Sequence, residues 1–245
     1  MNRLRTIPGI VLLLLLAACA TPATAPAATA LPSETAVEAT ATMAAATETV
    51  QPDSENTTEV PVIGDAGTVV FNIVPQESKV TYEVGETFFS QNNRFALAIG
   101  TTGQISGSVT ADLADPPASA LGPIEVDISQ FTSDSSRRDN FIRQNQLESG
   151  RFPIATFTST HIEGLPTSYA EGQDYTFQVT GDLTVKEATQ PVTFDVTARL
   201  EGNTLTGTAT SAIKMSDFGV GPISLVGMLQ TEDEVKLTFD FVARS

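Results

Sequence analysis

The most regular feature of the chain is an alternation of apolar and polar positions with a period of two. Val69-Val70-Phe71-Asn72-Ile73-Val74 opens it, and Lys79-Val80-Thr81-Tyr82-Glu83-Val84 continues it. Successive side chains of a strand point to opposite faces, so this period marks half-buried strands. Further strands are predicted at 96–99, 104–111, 124–128 and 155–162, and the most regular ones at 174–185, 190–200, 204–213 and 234–242. These stretches are rich in Thr, Val and Phe, which suit a pleated surface, and Gly, Asn and Pro punctuate them. Glu201-Gly202-Asn203 reads as a tight hairpin turn. One stretch breaks the rhythm. Ser135–Glu148 is polar, yet it spaces Phe141, Ile142 and Leu147 as a helix would, with Asp134 or Ser135 as its cap. Eight to ten strands with one inserted helix predict an all-β domain, a barrel or a sandwich. Closing the sheet removes edges that would otherwise aggregate.

The first sixty-six residues have a different texture. Arg3 and Arg5 precede an apolar run, Ile10 to Leu16, that ends in Ala17 and Ala18. Cationic start, short apolar stretch and small-residue exit describe a secretory signal peptide. The run falls short of the roughly 20 apolar residues that cross a bilayer. Leu16-Ala17-Ala18-Cys19 resembles the bacterial lipobox, which implies cleavage after residue 18 and acylation of Cys19. Residues 20–66 contain no aromatic residue, Lys or Arg and are dominated by Ala, Thr, Pro and Glu. Such a segment buries too little apolar surface to offset the entropy of ordering it, and is expected to be a disordered stalk. The expected organisation is therefore a signal peptide at 1–18, a lipidated Cys19 and stalk at 19–66, and a folded domain at 67–245.

Charge and chemistry narrow the function. The net charge of −16 argues against a nucleic-acid partner, since phosphate binding needs a basic face. Cys19 is the sole cysteine, so neither an intrachain disulfide nor a paired-cysteine metal site is expected. His161 is the sole histidine and sits within a strand, and no nucleophile elbow accompanies it. Glu232-Asp233-Glu234 lacks the spaced loop of a calcium site and reads as an acidic turn before the last strand. No catalytic residue, metal or cofactor is expected. Two sets remain. The inward strand positions Val80, Tyr82, Val84, Phe157, Phe177, Val179, Leu183, Phe194 and Val196 fit a closed core or the wall of a cavity equally well. Arg137, Arg138, Arg143 and Arg151 cluster in an otherwise acidic domain. Arg137 and Arg143 are candidates for an anionic headgroup, and salt bridging to Asp134, Asp139 and Glu148 is the simpler reading of the cluster.

Four segments resemble the YceI-like family, also described as polyisoprenoid-binding-protein-like, over essentially all of 67–245. They are Phe71–Val80, Ser133–Arg143 continuing to Arg151–Phe157, Val179–Val185 with Thr189–Phe194, and Met215–Val220. Two positions depart from the family pattern. Glu77 stands where many members have His, and Lys186-Glu187 occupies a turn that usually holds Gly. The resemblance implies an extended lipocalin-like antiparallel barrel around an apolar tunnel, with Phe141 and Phe218 joining the lining set and Gly219 turning the chain after it. It implies a binding protein for an isoprenoid or similar amphiphilic lipid, attached to the membrane through Cys19 and outside the cytoplasm. The alternatives are an envelope interaction module with a filled core and, more distantly, an enzyme with an unrecognised site. Oligomeric state stays open, a dimer included.

Overall fold

The alternation becomes one curled antiparallel sheet in the structure, a computed structural model that describes residues 67–245. Its strands are β1 (Thr68–Ile73), β2 (Lys79–Phe88), β3 (Arg94–Thr102), β4 (Ile105–Ser106), β5 (Ser108–Asp112), β6 (Ala120–Leu121) and β7 (Ile124–Asp127). β8 (Thr132–Ser133) leads into α1 (Ser136–Phe141), and β9 (Ile154–Glu163), β10 (Asp174–Val185), β11 (Ala188–Glu201), β12 (Thr204–Lys214), β13 (Ser224–Leu225) and β14 (Leu229–Arg244) follow. The signal peptide, Cys19 and the stalk lie outside the described residues.

β14 is the hub. On one side it pairs with β12, from Thr204 opposite Arg244 to Lys214 opposite Glu234. On the other side it meets two strands in succession, β2 along most of its length and β1 at Ala243 and Arg244. The buried Ser78 makes this change of partner possible. Its hydroxyl accepts from the Val242 N–H (3.0 Å), a group the bend would leave unpaired, and donates to the Val242 carbonyl (3.2 Å), which also accepts from the Val74 N–H (2.8 Å). At the β1 end the sheet closes. β1 pairs with β5, β4 with β7, β7 with β9, and the series returns through β10, β11 and β12 to β14. Gly107, at φ 151°, separates β4 from β5, so the predicted strand 104–111 is two strands with different neighbours.

At the other end the ring stays open. β3 pairs with β2 throughout, but on its far edge only Gly100 and Thr101 find partners, in β8. α1 and the turn after it occupy this gap. Ser135 caps the helix, its hydroxyl accepting from the Arg138 N–H. The predicted helix over 135–148 does not continue at α-helical pitch. After Phe141 the chain widens, and the Leu147 N–H donates to the Ile142 carbonyl, five residues back. Three side chains hold this cover. Arg138 reaches β2, Arg143 donates to the Ser129 (3.3 Å) and Phe131 (2.8 Å) carbonyls, and Lys186 donates to the Gln146 carbonyl (3.0 Å) and to Glu148 (2.6 Å). Lys186 stands in the left-handed region, φ 57°, one residue before Glu187, the position that holds Gly in the family pattern.

The acidic run is placed differently from the sequence expectation. β14 begins at Leu229, so Glu232-Asp233-Glu234 lies inside the strand, at a register shift between Thr231 and Val235, and is not a turn before it. Such a bulge re-aims a side chain. Here Asp233 accepts from the backbone N–H (2.8 Å) and hydroxyl (2.7 Å) of Ser216, which holds its carboxyl below the usual range.

Candidate ligand-binding site

The inward face of the barrel surrounds a cavity of about 970 Å³. Its wall reaches both ends of the fold. Leu113, Pro116, Tyr169 and Tyr175 border it where β1 begins, and Phe88, Gln91, Arg137 and Met228 border it beside α1. Between them the lining is almost wholly aliphatic and aromatic. All eleven apolar positions singled out from sequence face it: Val80, Tyr82, Val84, Phe141, Phe157, Phe177, Val179, Leu183, Phe194, Val196 and Phe218. Phe218 is buried within the wall, and Gly219 after it turns the chain at φ 65°.

Cross-strand pairing explains how so many aromatic residues leave the centre open. Tyr82 lies opposite Gly100, and its ring occupies the space a Cβ at Gly100 would need. Phe241 lies over Gly207 in the same way. A ring laid flat on a glycine thickens the wall and not the lumen. Tyr82 then meets Phe131 edge-on at 5.2 Å, and Phe157 meets Phe194 at 5.1 Å. These contacts fix ring orientations without filling the interior.

Polar groups border the cavity at both ends, Asp112 and Ser119 where β1 begins and a charged network under α1. Glu86, on β2, is only 4% exposed. Its two carboxylate oxygens accept from Arg138 Nε (3.2 Å) and Nη2 (3.0 Å), a two-pronged pair. Arg138 also binds Asp134 and the Ser133 hydroxyl. Asp139 accepts from the backbone N–H (3.1 Å) and hydroxyl (2.6 Å) of Ser133. Burial, followed by the nearby Asp139 charge, pushes the Tyr82 phenol up to about 12, so it is neutral at ordinary pH.

The arginine cluster divides. Arg138 is committed to Glu86 and Asp134. Arg143 does not face the cavity; its guanidinium is spent on main-chain carbonyls, so nothing in its geometry suits a headgroup. Arg151 is exposed, paired with Glu187 and stacked on Phe152. Arg137 alone among the four is both exposed and part of the cavity rim without an ion pair among the described residues. Glu77, at the family's His position, is held by both prongs of Arg244 at 2.7 Å, and His161 is exposed on β9. Cys19 lies outside the described residues. Sequence reasoning missed Glu86, because a polar residue in an alternating strand is indistinguishable from a solvent-facing one. Tyr169 was missed because it lies in a loop of no period, whereas Tyr175 shares the face of Phe177 and Val179 in a predicted strand and was legible from the alternation.

The YceI-like domain family model matches residues 71–243. A UPF0312 protein of Pseudomonas putida is 32% identical over 136 residues, covering 52% of this chain and 67% of that protein. A UPF0312 protein of a Shewanella species is 27% identical over 176 residues, 67% of this chain and 85% of the relative. Among solved structures, Burkholderia cenocepacia BcnA matches with a TM-score of 0.55 at 25% identity, over 69% of this chain and 98% of its own. A polyisoprenoid binding domain from Saccharophagus degradans, implicated in plant cell wall breakdown, matches with a TM-score of 0.54 at 11% identity, over 71% and 98%. The latter likeness is one of fold. With the sequence motifs, the curled antiparallel sheet and the matched span in agreement, the chain belongs to the YceI-like domain family.

Proposed function

We propose that this protein is an extracytoplasmic, lipid-anchored binding protein that sequesters or carries an isoprenoid-type or other amphiphilic lipid in its barrel. One observation carries the reading: the 970 Å³ cavity is walled by apolar side chains along the whole barrel, with polar groups confined to its two ends, Glu86, Arg137 and Arg138 beside α1 and Asp112 and Ser119 at the other. That is the size and composition of a pocket for an apolar molecule with a polar tip. Each methylene taken from water contributes about 0.8 kcal/mol, so a long chain binds without a specific contact. The polyisoprenoid binding domain with the same fold is consistent with this chemistry. The open volume weighs against an interaction module with a filled core. Anchoring rests on the lipobox-like Leu16-Ala17-Ala18-Cys19. Nothing in the wall resembles a catalytic constellation, and the reading is of a binding protein, not an enzyme. Arg137 is the headgroup candidate, at the α1 end of the cavity.

The test is extraction of the mature protein, purified from its native membranes, followed by lipid mass spectrometry. A near-stoichiometric apolar chain is expected. Protein that arrives empty and also fails to take up a long-chain isoprenol from detergent micelles overturns the proposal. Arg137→Ala is expected to weaken binding of an isoprenyl phosphate more than of the matching alcohol. Equal effects on both remove Arg137 from the headgroup role.

A further inference from the structure

Two hairpin tips stand side by side at the α1 end of the barrel. The β2–β3 tip runs from Phe88 to Arg94 and turns through Asn92 and Asn93, both left-handed. The β13–β14 tip runs from Leu225 to Leu229 and turns at Gly227. Phe88 pairs with Leu229, and the Phe89 N–H donates to the Met228 carbonyl (3.0 Å), so the two move as one unit. Turns of this kind are ordinarily polar. These carry Phe89, Val226 and Met228, exposed by 42%, 97% and 53%. Phe95, just past the tip, is also exposed. No contact within the described residues accounts for Val226.

The same tips form the rim of the cavity. Phe88, Ser90, Gln91, Leu225 and Met228 all face into it. The outward apolar surface is therefore continuous with the inward one across a few residues. Two cations sit on this rim. Arg94 lies over the Phe88 ring at 4.9 Å, and Arg137 borders the cavity from α1. They stand out in a domain with twice as many carboxylates as cations. Of the rim-side carboxylates, Glu86 and Asp134 share Arg138, which leaves one negative charge there uncompensated, and Glu232 lies back beside Gly85. Apolar tips at the level of acyl chains with arginines behind them match the layering of a bilayer surface.

We infer that this end of the barrel docks on a lipid bilayer, with Phe89, Val226 and Met228 entering the interface, so that a lipid passes between membrane and cavity without crossing water. The inference rests on the proposed lipid-binding reading and adds where the lipid enters. β1 begins at the opposite end of the barrel, since Thr68 lies beyond Arg244, the last residue of β14. Chain length does not bar this orientation. The 47 residues between Cys19 and Gly67 reach up to about 150 Å, against about 54 Å for the 16 residues of β14.

The chain contains no Trp, so one introduced residue reports without background. The full chain carrying Val226→Trp is reconstituted with vesicles of phosphatidylcholine and phosphatidylglycerol, and compared with Ala170→Trp at the far end. Docking predicts a blue-shifted emission quenched by bromolipids at position 226 and neither effect at 170. Equal behaviour at both positions, or a shift that follows protein concentration and needs no vesicles, overturns it; the second result assigns the tips to another copy of the chain. A second measurement uses Phe89→Glu with Val226→Glu, neither of which faces the cavity. Uptake of a long-chain isoprenol from detergent micelles is expected to be unchanged, while its transfer from vesicles slows at least about tenfold, the effect of losing ~1.4 kcal/mol of interfacial affinity. Unchanged vesicle transfer sinks docking alone. Failure of the unaltered protein to take up isoprenol from micelles sinks the lipid-binding reading on which it rests.

Discussion

Replacing Glu86 by Gln tests whether the cover over the open end of the barrel is held electrostatically. The carboxylate is nearly inaccessible and meets Arg138 through two bonds, and the Arg138 side chain is 18% exposed. Removing one partner of a buried pair costs about 3–5 kcal/mol, because the other charge stays desolvated. Arg138 keeps Asp134 and Ser133 as partners, so the loss belongs below that range, at about 2–3 kcal/mol. For a domain of this size, ~2–4 °C per kcal/mol makes this a fall of about 5–10 °C in Tm. Urea denaturation and calorimetry measure it, and amide hydrogen exchange shows where it acts, with protection lost first in α1 and the turn after it. The double variant Glu86→Leu with Arg138→Met is expected to recover most of the loss, since neither charge is then buried. A single variant within about 0.5 kcal/mol of the parent, the ordinary range for a surface substitution, refutes the reasoning. So does a double variant as unstable as the sum of the singles.

Three further outcomes follow from the same geometry. Ala209, a small buried residue of the wall, is expected to accept Phe with less than the ~1–3 kcal/mol that overpacking a filled core costs, while isoprenol uptake falls; a large destabilisation would show that the interior has no room. Glu77, Asp134, Glu148, Asp174 and Asp233 have pKa values held down, the first four chiefly by hydrogen bonds to Arg or Lys and Asp233 by those from Ser216. Their contribution is complete above the unfolded carboxylate range and is lost as pH falls through the lower folded values. Tm is thus expected to be flat from pH 7 to about 5 and to fall below that, with a smaller fall in Glu77→Gln. Tyr82, raised from 10.0 to about 12, contributes stability that is full below pH 10 and lost as pH rises through 12. Phenolate absorbance should show a late-titrating group that Tyr82→Phe removes.

The strands were legible because their period is local. The boundaries of β10 coincide with the predicted 174–185, and each long strand was found, although the first five residues of β14 were read as lying outside it. The two-residue strands β6, β8 and β13 were not, since two residues carry no alternation. The helix was legible as an interruption, but its widening after Phe141 was not, nor was the bond from Lys186, forty residues away, to the Gln146 carbonyl at its end. The apolar wall was legible as a face, for the side-chain period alone selects Val179, Leu183, Phe194 and Val196. Arg137 and Arg143 looked equivalent in sequence. Only the fold turned one toward the rim and the other toward the Ser129 and Phe131 carbonyls.

By itself the sequence determined the all-β class, the inserted helix, the acidic character and the family, because alternation, turn residues and ordered motifs are properties of neighbours along the chain. Whether the interior is hollow was not among them. A set of inward apolar side chains has the same pattern whether it meets across a core or stops short around a space. That outcome depends on strand count, on closure at one end and opening at the other, and on aromatic rings lying down on glycines of the adjacent strand. These are relations between residues far apart in sequence, and only the tertiary structure sets them.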